Sequence, residues 1–344
     1  MQETTLLGID SKAARVTWTA ALTILLLAVV YVIRGTLVIF AIALLFAYLL
    51  YPLVDQIGRR FSPRHRSPAL ALTYLLVIGL LTAVGIAIGS RVAGEARHLI
   101  AHPPDVSAFF SRLKHSYPVL SPEITVAEGR IRQQLGGLTS AVPLYSLRVL
   151  SASTNLIYLI VIPIISFFIL KDGAEMRDSF VSMLPSGVSH FRAQRTIAAI
   201  HDLLLRYMRA LLLLCCTVLI VFSVVLRALG VPYALLLASI AFFCEFVPVI
   251  GPLTAACIIV AVTGLSGYPH VWWILAFLGA FRVVQDYMIS PKLMGEGVEL
   301  HPIWIIFGVF AGGQIGGVAG VFLSVPALAL IRLLLDGLAG PTKS

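Results

Sequence analysis

Residues 232–265 and 302–335 are two apolar stretches of 34 residues, each broken near its middle by proline or glycine, at 248–252 and at 312–317. That length is awkward in a membrane. One straight helix of this size would run roughly 51 Å at 1.5 Å per residue, against a bilayer core of about 30 Å. Two complete crossings would need about 40 residues plus a turn. Length and central break together predict a helical hairpin that enters and turns back. Both stretches begin with an X-Pro pair, Val231-Pro232 and His301-Pro302, a favoured helix start. Paired interrupted segments are a sequence pointer to a transporter binding site near the midplane. The plainer alternative is an ordinary kinked helix pair.

Composition places these stretches in lipid. Of the 344 residues, 59% are hydrophobic and 12% are charged, about half the charged fraction of a soluble domain. The expected fold is all-α, a polytopic membrane protein of about eight hydrophobic blocks, two of them broken or re-entrant, with a small extramembrane helical segment. The net charge of +9 reads as cytoplasmic loops held against anionic lipid headgroups rather than as a nucleic-acid surface. The cysteines Cys215, Cys216, Cys244 and Cys257 lie in apolar runs and read as packing residues.

In chain order, residues 1–89 read as three spans, at 16–33, 36–51 (ended by Pro52) and 69–88. The first reads as a retained span rather than a signal peptide, since no small-residue cleavage site followed by a polar start is seen. The loop between the second and third carries Arg59, Arg60, Arg64 and Arg66 against Asp55, which argues for a cytoplasmic loop and N-terminus. Residues 90–153 read as an extracytoplasmic amphipathic segment, poor in large apolar side chains and unable to fold alone. Residues 154–170 form a fourth span, and 171–209 a cytoplasmic amphipathic linker with five arginines whose plain reading is a solvated inner-leaflet face. Residues 210–344 hold the transport region: a fifth span at 210–228, the two broken stretches, and an apolar helix at 271–287 between them. The C-terminus is expected in the cytoplasm.

Polar groups within this region are costly in lipid, so they are candidates for a substrate or ion pathway. Glu245, before the first break, could take a cation or proton, or could accept a bond from backbone freed by Pro248. Gly251 and Pro252 read as a helix start whose free N–H groups and positive dipole end would attract an anion or a ligand oxygen. Arg282 and Asp286, four apart, share a helix face and could pair, with Gln285 and Tyr287 beside them. Such a pair should face protein or a water-filled cavity; a structural staple near the interface is the plainer role. Gly308, Gly312, Gly316 and Gly320 recur every four residues, with Gly313 and Gly317 in a second row. Tight helix packing is the plain reading of these rows, and a flexible tip or gate the sharper one.

The runs FFILKD (167–172), EFVPVIGP (245–252), VVQDYMISPKLMGEGVELHP (283–302) and GGQIGGVAGVFLSVP (312–326), in this order, resemble the autoinducer-2 exporter family of prokaryotic inner-membrane permeases. The resemblance covers nearly the whole chain and is densest from residue 230 to 326. It implies a homo-oligomeric inner-membrane exporter of a small polar solute such as autoinducer-2, or a sodium/proton antiporter. One departure is the start of the fifth span, Tyr207-Met208-Arg209-Ala210-Leu211, where the family carries a Tyr-Arg-Gly-Gln-like run.

No phosphate-binding loop, HExxH, metal-spaced Cys/His cluster or nucleophile elbow is present in the sequence, so an enzyme, a cofactor and a metal are not expected. The reading is a secondary transporter exporting a small polar metabolite. The alternatives are a monovalent cation/proton antiporter working through Glu245 and Asp286, and a non-transporting scaffold working through residues 90–153.

Overall fold

Backbone polar groups in lipid must be satisfied within the chain, and every element among the described residues is accordingly helical. The computed structural model describes residues 11–58, 66–102, 106–116, 118–130, 133, 153–183, 190–248, 250–294 and 301–339. The helices are α1 (Ser11–Val32), α2 (Arg34–Gly58), α3 (Arg66–Ala101), α4 (Val106–Ser116), α5 (121–130), α6 (Ser153–Ser182), α7 (His190–Ala228), α8 (Ala234–Cys244), α9 (Ile250–Leu265), α10 (Val271–Val284), α11 (Ser290–Met294) and α12 (Pro302–Ala339). Among the described residues four unbroken helices, α1, α2, α3 and α7, are long and apolar enough to cross a membrane, and α12 matches them in length and composition but is kinked within. The chain is a multi-pass membrane protein. The arginine-rich loop at 59–65, most of 131–152 and residues 295–300 of the second broken region lie outside the described residues.

Several helices run past the boundaries expected from sequence. α2 continues through Pro52 to Gly58, and α3 runs unbroken to Ala101 rather than ending at 88. Hydropathy marks where a helix leaves lipid, whereas helical propensity and packing decide where it ends. The polar linker expected at 171–209 holds the end of α6 and the start of α7, with residues 184–189 outside the described residues.

α7 is the mast of the structure. Its stretch with Leu204, Met208 and Cys215 buried packs with Leu45 of α2 and with Val325 and Ala329 of α12. Its second half, with Val218, Phe222 and Leu226, packs against α8, α9 and α10 around Leu237, Ile259 and Ile274. A third cluster joins α2 and α3 through Leu50, Val54, Tyr74 and Val77, with Phe167 of α6 against it. There the Tyr74 hydroxyl donates to the Pro163 carbonyl of α6 at 2.6 Å. α1 touches α2 but buries none of its apolar window, so its surface is left to lipid.

Both broken stretches fold back. α8 and α9, of 11 and 16 residues, are about 16 Å and 24 Å long, too short to cross singly. They pack against each other across a break that begins at Glu245. The second stretch loses helical geometry only at Gly316 (φ −132°, ψ 16°) and Gly317 (φ 58°, ψ −140°). On either side the limbs lie together: a Cβ on Gly308 would meet Leu328 and Ser324, and one on Gly312 would meet the Gly320 carbonyl. In a straight helix Gly308 and Leu328 would stand about 30 Å apart. The hairpin expectation holds for both, with the second turn at 316–317 alone; Gly312 and Gly313 are packing residues in the limb before it.

The first hairpin is anchored from another helix. Tyr233, ahead of α8, has φ 59° and gives no side-chain cap. Glu95 of α3 supplies the missing acceptor, its Oε2 taking the Leu236 N–H at 2.8 Å. A carboxylate beside a helix N-terminus also complements the helix dipole. His98, one turn along α3, lies 3.2 Å from the Tyr233 hydroxyl through Nδ1.

Candidate functional site

The turn between α8 and α9 is built from its own backbone. Val247 N–H donates to the Cys244 carbonyl at 2.9 Å, Ile250 N–H to Pro248 at 2.7 Å, and Gly251 N–H to Val247 at 2.9 Å. Pro252 has no N–H to offer. The Ile250 and Gly251 N–H groups are therefore taken and are not free for a ligand. Glycine at 251 is required by contact, because a Cβ there would overlap the Cys244 carbonyl oxygen. Pro248 is half-buried in the turn and does not line the cavity described below.

Glu245 sits where α8 ends, 7% exposed. Its Oε1 accepts a hydrogen bond from Gln285 Nε2 at 2.5 Å. Gln285 is itself buried and belongs to a π-helical turn, Gln285–Ile289, where α10 had been expected to run on to 287. Pro291 explains that turn. It has no N–H to give the carbonyl four residues back, and its ring crowds that carbonyl. The wider turn, with Ser290 N–H on the Gln285 carbonyl, carries the helix into α11 despite the proline. π-turns of this kind recur at functional sites.

Asp286 follows Gln285 and is tied back to α10: Arg282 Nε lies 2.8 Å from Asp286 Oδ2, with both side chains a little over 40% exposed. The pairing expected from the four-residue spacing is therefore formed. At this exposure, the pair is worth at most about 1 kcal/mol.

These residues close one end of a cavity of about 780 Å³ between α7, α8, α9 and α10. Glu245, Pro252, Arg282 and Gln285 line it, and the rest of its wall is apolar, including Val218 and Phe222 of α7, Leu253 of α9, and Leu275 and Phe281 of α10. The sequence reading missed these wall residues. The signal was present on α10, where 275, 278, 282 and 285 follow helical spacing along the face that carries Arg282.

The remaining expected site residues lie elsewhere. Gly312 and Gly313 pack on the opposite limb of α12, and Gly316 faces Val38 of α2. None of the three lines the cavity. The two hairpins do meet, through Phe246 and Phe322, whose ring centroids are 5.5 Å apart. Among the described residues no group of three or more His, Cys, Asp or Glu is placed to hold a metal ion.

Comparison with known proteins adds the family. A profile described as AI-2E family transporter matches residues 21–340. YueF of Bacillus subtilis (strain 168) is 26% identical over 303 residues, covering 84% of this chain and 81% of its own. PerM of Escherichia coli (strain K12) is 25% identical over 317 residues, covering 89% and 88%. The AI-2 transport protein TqsA of the same strain is 25% identical over 310 residues, covering 88% and 86%.

Proposed function

The chain belongs to the AI-2E transporter family, a family of membrane transport proteins, and from that premise we propose that the cavity beside Glu245 is the path of its solute. The observation that carries the reading is the hydrogen bond from Gln285 to buried Glu245. It joins the turn of the first hairpin to the π-turn of α10 at the polar end of the cavity. Both partners sit on irregular backbone, and irregular backbone at membrane depth is tolerated where it lines a cavity or is buried in protein. Solute entering the cavity competes for that bond, and its loss frees the hairpin turn to move against α10. The Arg282–Asp286 pair holds the same end of the cavity from α10.

In this reading the protein is a secondary transporter in a prokaryotic inner membrane, working as an oligomer and exporting a small metabolite. The kinship with TqsA, named as an AI-2 transport protein, supports autoinducer-2 as the first solute to try. Burial of Glu245 favours a second reading, monovalent cation/proton exchange, because a buried carboxyl at membrane depth can carry a proton or a cation.

Purified protein reconstituted in vesicles, offered a panel of small metabolites and, separately, a sodium gradient, tests both. The expected result is solute flux that falls at least tenfold in Glu245→Gln and in Gln285→Leu. Cation-dependent proton movement without solute flux selects exchange. Full flux in both variants removes the cavity as the path.

A further inference from the structure

We propose that the cavity takes a lipophilic organic cation, its apolar body between α9 and α10 and its hydrogen-bond-donating charged end on Glu245. The inference rests on the cavity's being the solute path and puts a lipophilic cation in place of a polar metabolite such as autoinducer-2 as its solute. Three observations carry it. The first is size and lining. A volume of about 780 Å³ suits a drug-sized molecule, and apart from Glu245, Arg282 and Gln285 the charged and amide groups of the chain are absent from its wall. A fully hydrated, sugar-like solute would lose its water against Val218, Phe222 and Leu275 without replacement hydrogen bonds.

The second is the polarity of what remains unclaimed. Gln285 gives one Nε2–H to Glu245 Oε1, and Arg282 pairs through Nε with Asp286, which balances the guanidinium charge and leaves the Glu245 carboxylate as the unbalanced charge on the wall. Glu245 Oε2 and Gln285 Oε1 take no hydrogen bond among the described residues, and both are acceptors. A ligand that donates hydrogen bonds and carries positive charge answers them.

The third is the mouth. Leu253 on α9 and Leu275 on α10, both lining residues, are 67% and 41% exposed. In a chain that lies in a bilayer, such an apolar mouth admits a ligand sideways from the hydrocarbon. The ligand is a solute rather than a membrane phospholipid, because a phosphate-bearing headgroup would bring negative charge against the Glu245 carboxylate.

Ethidium, a lipophilic cation with two amino groups, and dihydroethidium, its uncharged counterpart, are the probes. Their binding is read by fluorescence with the purified full-length protein in phosphatidylcholine nanodiscs. Two variants divide the claim. Gly279→Trp fills the cavity from α10 at a position where an added Cβ meets nothing within 4 Å, so it should fold. Glu245→Gln removes the charge at nearly constant size. The expected result is saturable ethidium binding that weakens at least tenfold in each variant, with dihydroethidium weakened by Gly279→Trp alone. Ethidium binding that is absent, or equal in all three proteins, overturns the proposal. So does loss of binding when phosphatidylethanolamine is added, which assigns the cavity to lipid. Disulfide-linked dimers of a protein retaining Cys257, on the cavity wall, as its sole cysteine would assign the face to a second copy and also overturn it. Ethidium bound but never transported leaves the ligand class standing and removes the solute path; metabolite flux without ethidium binding does the reverse.

Discussion

The two hairpins have the same length in sequence and opposite construction. The first turns between α8 and α9 through short-range backbone hydrogen bonds and carries a buried carboxylate at its start. The second turns at Gly316 and Gly317 alone, and its limbs meet backbone to backbone at Gly312 and Gly320. One hairpin leaves a cavity beside it with polar groups at one end. The other packs against α2 and α7. A break that holds an ionisable side chain beside open space is a place for chemistry, whereas a break made of glycine is a way to pack. Similar hydropathy therefore conceals a working element and a supporting one.

The largest effect expected from breaking this contrast is in the supporting hairpin. Gly312→Ala sets a Cβ into the Gly320 carbonyl, and neither limb can yield without the other. It should cost about 3 kcal/mol or more, read as a large drop in thermal unfolding temperature in detergent. Gly313→Ala, whose Cβ meets only Val321 Cγ2 at 3.4 Å, should stay near wild type. Equal loss in the two variants would mean that the limbs do not approach at Gly312.

The working hairpin should lose function before stability. Glu245→Gln keeps a group that Gln285 can bond, so stability should change by about 1 kcal/mol or less while flux falls at least tenfold. Gln285→Leu leaves the carboxylate buried and unpartnered, costing about 1–3 kcal/mol. Thermal unfolding and vesicle flux on the same preparations separate the two outcomes. A Gly312→Ala protein that folds and transports normally would erase the distinction from the other side.

Gly317→Ala isolates the turn itself. Its φ of 58° with ψ of −140° is closed to L side chains other than glycine, and the strain should be about 1–3 kcal/mol. The smallest effect concerns Arg282 and Asp286. Both are too exposed for strong coupling, so a double-mutant cycle with alanine should give about 0.5 kcal/mol in unfolding free energy. A coupling several times larger would place the pair in a drier site than its exposure indicates.

Much of this was legible in the sequence because it depends on length and spacing. Thirty-four apolar residues fit neither one crossing nor two, and Arg282 and Asp286 stand at the spacing that lets helical side chains meet. The turn position was less legible. Six glycines between 308 and 320 look alike in sequence, and only the approach of the opposite limb separates Gly312, which packs, from Gly317, which turns. The Glu245–Gln285 bond joins residues 40 apart, a separation that no periodicity reports. Glu95 as the cap of α8 was hidden for the same reason. The π-turn was signalled by Pro291, whose missing N–H leaves the Tyr287 carbonyl without its helical partner.

The claim on which the rest stands is that both broken stretches turn back, so that α10 with α11 is the one crossing between them. A single cysteine placed at position 292, in α11, and probed with an impermeant thiol reagent in intact cells and in inverted vesicles, tests it against the same label placed at position 339. Labelling of both positions from the same side of the membrane is the predicted result. Labelling of 292 and 339 from opposite sides would make the second stretch a simple crossing and contradict the account.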